Sequence, residues 1–106
     1  MVLHTAAGET LKNLKTVRQG ILDIASGTGT DWRNLTDGMY QVEKAGYRGA
    51  EGLKVLKAAA QGAREENARL DTVTNAMTSV MASYHLKASD SIRVMNGLKT
   101  AAARAR

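Results

Sequence analysis

Apolar residues along this chain recur at helical rather than strand spacing. They fall at Leu11, Leu14, Val17, Ile21 and Ile24, in steps of three and four, with Lys12, Lys15 and Arg18 outside that row. The spacing predicts a first helix over about 10–26. The stretch SGTGTDW follows, in which Gly27 or Gly29 supplies a left-handed helix stop and Thr30 or Asp31 caps the next helix. Trp32, Leu35, Met39 and Val42 then share one face, with Gly38 as a weak position, and this second helix is expected to end near 45–46.

Past the glycines at 46, 49 and 52, Leu53, Leu56, Ala60 and Ala63 form a narrow stripe of small residues that permits close approach of a neighbouring helix. The polar run ENARLD interrupts the chain. Leu70, Val73, Met77, Val80 and Tyr84 give the most regular apolar row, with Asn67 or Asp71 as the expected cap. A last helix carries Ile92, Met95 and Leu98 on one face and is capped by Ser89 or Asp90. The fold class is therefore all-α, with about five helices joined by glycine-containing hinges at Gly27, Gly29, Gly46 and Gly49. Both a helical bundle and an extended helical array satisfy that pattern. The organisation expected is a flexible N-terminus over 1–9, a helical segment over 10–103 and a basic end over 104–106.

Composition agrees with helices, since proline and phenylalanine are absent and the aromatics reduce to Trp32, Tyr40, Tyr47 and Tyr84. Large apolar residues are few for 106 residues, so the core that one copy buries is thin, and self-association or a longer parent chain would relieve the shortage. The absence of cysteine excludes disulfides, thiolate metal sites and cysteine nucleophiles. No apolar run approaches the roughly 20 residues that span a bilayer, and MVLHTAAGET lacks the features of a signal peptide, so a soluble chain is expected. The net charge of +5 is uneven, because Arg93, Lys99, Arg104 and Arg106 close the chain with no acid after Asp90. Cations there suit the dipole of a terminal helix.

Chemistry finds little support. The glycines at 46, 49 and 52 follow a helix and lack the Gly-Lys-Ser/Thr of a phosphate loop, so they read as a hinge. His4 and His85 have no partner at helical metal-pair spacing. Ser26, Ser79, Ser83, Ser89 and Ser91 sit in no nucleophile elbow, and Glu65–Glu66 lies in a polar stretch. No catalytic, cofactor-binding or metal site is assigned, and no enzyme is expected. Lysines and arginines are mixed with acids rather than striped, which disfavours nucleic acid as a partner. Met39, Met77, Met81 and Met95 read as core filling.

Four blocks then stand in order: TGT at 28–30, AGYRGA at 45–50, KAAAQGA at 57–63 and TNAMTSVM at 74–81. In their order and spacing, residues 28–101 resemble a segment of the tail tape measure proteins of long-tailed phages of actinobacteria. The resemblance implies a structural role. Such chains are long and mostly helical, occupy the tail lumen and fix tail length during assembly. The partners implied are copies of the chain in a small homo-oligomeric bundle such as a trimer, together with tail tube and tail assembly proteins. The implied locations are the virion's tail lumen and, during assembly, the host cytoplasm. No membrane-active or wall-degrading module is matched. The expected helix-packing interface is Leu70, Val73, Met77, Val80 and Tyr84. The alternative is a small standalone helical adaptor that binds a protein partner or nucleic acid.

Overall fold

The computed structural model describes residues 11–105, with side chains from residue 14 to residue 104. The expected flexible N-terminus and His4 lie outside the described residues, as does the last residue of the basic end. Five α-helices follow one another: α1 (Leu11–Thr28), α2 (Trp32–Lys44), α3 (Gly49–Glu65), α4 (Leu70–Ser83) and α5 (Ser91–Ala105), with a 3₁₀ turn at Ala88–Asp90 before α5. They form a bundle of 44 × 30 × 19 Å rather than an extended array.

α3 is the central element, and its sequence explains why. The run GAEGLKVLKAAAQGARE puts small residues on nearly every face, so Gly52, Val55, Leu56, Ala58, Ala59, Ala60, Gly62 and Ala63 are all buried. On one side Leu56 and Ala60 join Val17, Ile21 and Ile24 of α1 and Leu35 and Met39 of α2. On the other side Val55, Ala58, Ala59 and Ala63 meet Val73, Met77 and Met81 of α4, Met95 of α5, and Val42. Burial of each large aliphatic side chain stabilises by about 1.5–3 kcal/mol. Glycines set the separations: a Cβ at Gly62 would collide with Met95, and one at Gly52 would stand 2.5 Å from the Tyr47 carbonyl oxygen.

Three helix ends share one construction. Gly46, Asn67 and His85 adopt positive φ after α2, α3 and α4. Tyr47 N–H donates to the Val42 carbonyl (3.2 Å), Ala68 N–H to that of Ala63 (2.8 Å) and Leu86 N–H to that of Met81 (2.8 Å). The residue before each donates to the carbonyl three positions back, completing three Schellman closures that satisfy orphan carbonyls. Tyr47 and Leu86, the residues just past two of these closures, pack on the core and are joined by a 2.6 Å hydrogen bond from the Tyr47 hydroxyl to the Leu86 carbonyl.

α1 ends differently. The Thr28 hydroxyl donates to the Ile24 carbonyl (2.7 Å), and Arg64 of α3 donates from Nη1 to the Thr28 carbonyl (2.7 Å). A guanidinium at this carbonyl end complements the helix dipole. Asp31 caps α2 by accepting from the Arg33 amide at 2.9 Å. That backbone hydrogen bond, with the Arg33 side chain beside it, holds the Asp31 carboxyl below its ordinary range.

Several expected caps lie elsewhere. Asn67 closes α3 instead of opening α4, because a left-handed residue serves a C-terminus. The N-cap of α4 is Arg69, which makes no side-chain capping hydrogen bond, and Asp71 sits inside the first turn. Asp90 belongs to the 3₁₀ turn, where its carboxylate accepts from the Lys87 amide at 3.0 Å.

Candidate functional site

The surface that matters in a packing module is where its apolar rows point, and α4 shows this best. Of the expected row, Val73 and Met77 lie in the chain's own core, and Leu70 packs against both halves of it. Val80 is half-buried, and Tyr84 is 73% exposed at the helix end. The inward row runs instead through Val73, Thr74, Met77, Thr78 and Met81. Two threonines enter it: Thr78 donates to the Thr74 carbonyl at 2.8 Å and packs as a valine would, while the Thr74 hydroxyl is buried with no hydrogen-bond partner. Reading threonine as polar concealed this face.

The glycines named as hinges sit as follows. Gly27 lies within the last turn of α1, while Gly29, Gly46 and Gly49 have φ of +73°, +110° and +57°. An L side chain at those three positions would be strained. Gly29 and Gly46 lie in short connections, and Gly49 is the first residue of α3.

Polar groups gather in one cleft of about 430 Å³ between α2 and the start of α4, lined by Asn34, Asp37, Gln41, Arg69 and Asp71 among others. Asp71 is engaged by Arg69 through two hydrogen bonds (3.2 and 2.9 Å), which holds its carboxyl below the ordinary range. His85 is exposed, and its left-handed backbone rather than its imidazole explains its position. Ser91 is buried, with its hydroxyl 3.4 Å from the Lys54 carbonyl, while Ser26, Ser79, Ser83 and Ser89 are exposed. Lys99 reaches across from α5 to pair with Glu65. Among the described residues no three His, Cys, Asp or Glu side chains converge as a metal site. No described helix is long and apolar enough to cross a membrane.

A nucleophile with a base at hydrogen-bond distance, the starting arrangement for covalent catalysis, is not seen among these contacts. What the fold defines is a helical packing module, with most of its specific side chains spent on holding helices together. The chain belongs to the phage-related minor tail protein family, whose model matches residues 18–106. No curated protein and no solved structure matches it significantly. Family membership makes this a phage tail protein with a structural role, and it points to the virion as the place where the protein works.

Proposed function

We propose that the chain is a segment of a tail tape measure protein, a non-enzymatic filler of the tail lumen that helps set tail length during assembly. The observation that carries this reading is the family match over residues 18–106 on an all-helical chain. A length-setting segment needs helices that pack, short connections, and no chemistry of its own.

The bundle suits such a role in two arrangements. Packed as described, it is 44 Å long. Opened at Gly29, Gly46 and Gly49, the same helices would align end to end, and the row Leu70, Val73, Met77, Val80 and Tyr84 would pair with other copies. Copies of the chain, the tail tube and tail assembly proteins are its proposed partners. The tail lumen and, before that, the host cytoplasm are its proposed locations.

The test is the intact mass of the polypeptide that carries these peptides, taken from purified particles and from producing cells. A chain many times heavier than 11.3 kDa, found in particles, is the expected result. A chain near 11.3 kDa that is absent from particles would contradict the reading and favour a standalone adaptor.

A further inference from the structure

A groove of about 390 Å³ runs between α1 and α2. Leu14, Arg18 and Leu22 form its α1 rail, and Trp32 and Thr36 its α2 rail, both at steps of four. Of the five large apolar side chains left exposed among the described residues, Leu22 at 49% and Trp32 at 56% line the groove, and Tyr40 at 50% follows on α2 one turn past Thr36. Single exposed apolar residues are ordinary, but several gathered along one groove mark a surface built to be covered.

We propose that this groove docks an amphipathic helix from a partner protein, one whose apolar row enters the groove and whose flanks are acidic. The α1 rail spans nine residues from Leu14 to Leu22, about 12 Å along the helix axis, which accommodates two turns of a partner helix with anchors at i, i+3 or i+4, and i+7. Trp, Tyr and Arg are the side chains that dominate helix-docking surfaces energetically.

The sign of the flanks follows from the charges that face the groove. Its lining includes Arg18 and no carboxylate. Lys15 is exposed on α1, three residues before Arg18. On α2, the Arg33 guanidinium lies 5.9 Å from the Trp32 ring centroid and the Lys44 ammonium 5.6 Å from that of Tyr40. Asp31 and Arg33 pair and cancel one another, Asp23 lines the cleft between α1 and α3, and Asp37 lines the cleft between α2 and α4, which leaves Lys15, Arg18 and Lys44 as the cations here with no carboxylate bound to them among the described residues. An acidic partner therefore meets a positive surface, which favours encounter and register.

A second copy of this chain fits less well. Its other exposed large apolar side chains, Tyr84 and Ile92, stand on two different elements, near Lys87 and near the Arg93–Asp90 pair, and so do not form one helical apolar row with acidic flanks. The groove has this character wherever in the tail the chain sits, so the partner does not depend on the tail-lumen reading.

Trp32 is the sole tryptophan and stands on the groove, so its emission reports occupancy directly. The full chain is titrated with three synthetic peptides: a helix with a leucine row and glutamate flanks, the same helix with lysine flanks, and a scrambled glutamate peptide. The expected result is a saturable blue shift with the ordered acidic peptide that weakens as salt is raised. Binding of the lysine helix should be weaker by roughly tenfold or more. Leu22→Glu and Thr36→Glu should each abolish the shift while leaving the helical melting curve in place, since neither side chain is in the core. Equal affinity for both leucine helices, no saturable shift, or a shift that survives in both variants would overturn the proposal. So would a blue shift that grows with protein concentration alone, which would assign the groove to a second copy.

Discussion

The two cores on either side of α3 are made of different materials. Between α3, α1 and α2 the buried side chains are mostly branched and large: Val17, Ile21, Ile24, Leu35 and Leu56. Between α3, α4 and α5 they are mostly alanines and methionines, with Ala58, Ala59, Ala63 and Ala88 beside Met77, Met81 and Met95, and Val42, Val55 and Val73 as the branched members. Branched aliphatics interlock in few rotamers, whereas methionine bends to fill what alanine leaves open. The first core should therefore be specific about shape. The second brings helices close, Met95 seating in the notch at Gly62, and it should tolerate repacking.

The harshest way to break the contrast is to charge the tolerant side. Val73→Asp combined with Met77→Asp places two carboxylates where exposure is 8% and 0%. An uncompensated buried charge costs about 3–5 kcal/mol. The double variant should lose its cooperative helical melt by circular dichroism. Unchanged helicity and melting would mean that α4 does not pack as described.

Next come the cavities that compare the two sides. Leu35→Ala and Met77→Ala each empty a fully buried position, a change that costs about 2–5 kcal/mol. Leu35→Ala should fall in the upper part of that range and Met77→Ala in the lower part, by urea denaturation, because the methionine side can collapse. The reverse order would remove the distinction between the cores. A smaller loss is expected for Gly52→Ala, about 1–2 kcal/mol, since the new methyl meets backbone at Tyr47 and exceeds what helix propensity returns.

Tyr47→Phe removes the hydrogen bond to the Leu86 carbonyl, and a loss of about 1 kcal/mol is expected. The same side chain predicts a pH effect. Burial, and then Asp90 nearby, raise the Tyr47 phenol above its ordinary value of 10.0, so the folded state favours the protonated form. Its contribution is complete below pH 10.0 and is lost as pH rises through the raised folded value. The alkaline limb of stability against pH should flatten in Tyr47→Phe. At the small end, Gly97 lies in α5 with open space around it, and Gly97→Ala should stabilise by about 0.5–1 kcal/mol.

Much of this architecture was legible in the sequence because apolar residues at steps of three and four report a helix whatever it packs on. The inward residues Leu35, Met39, Val42 and Met95 were found that way, and Asp31 was legible as a cap. What escaped depends on neighbours. Trp32 and Ile92 continue apolar rows, yet they are 56% and 64% exposed because no described helix covers those ends. The alanine run of α3 read as one narrow stripe, although alanine on every face also fits a helix surrounded by others. Asn67 read as a cap for the next helix and His85 as a histidine without a metal partner, when both close the helix before them. The groove between α1 and α2 needed the angle between two helices, which periodicity does not contain.

The most direct test of a length-setting role is tail length in phage particles carrying an in-frame deletion of residues 11–105. Tails shortened by a fixed amount are predicted. The loss should approach 44 Å if the segment lies in the tail as the bundle described. It should approach about 140 Å if these residues run as one continuous helix at about 1.5 Å per residue. Particles with tails of unchanged length would contradict the account.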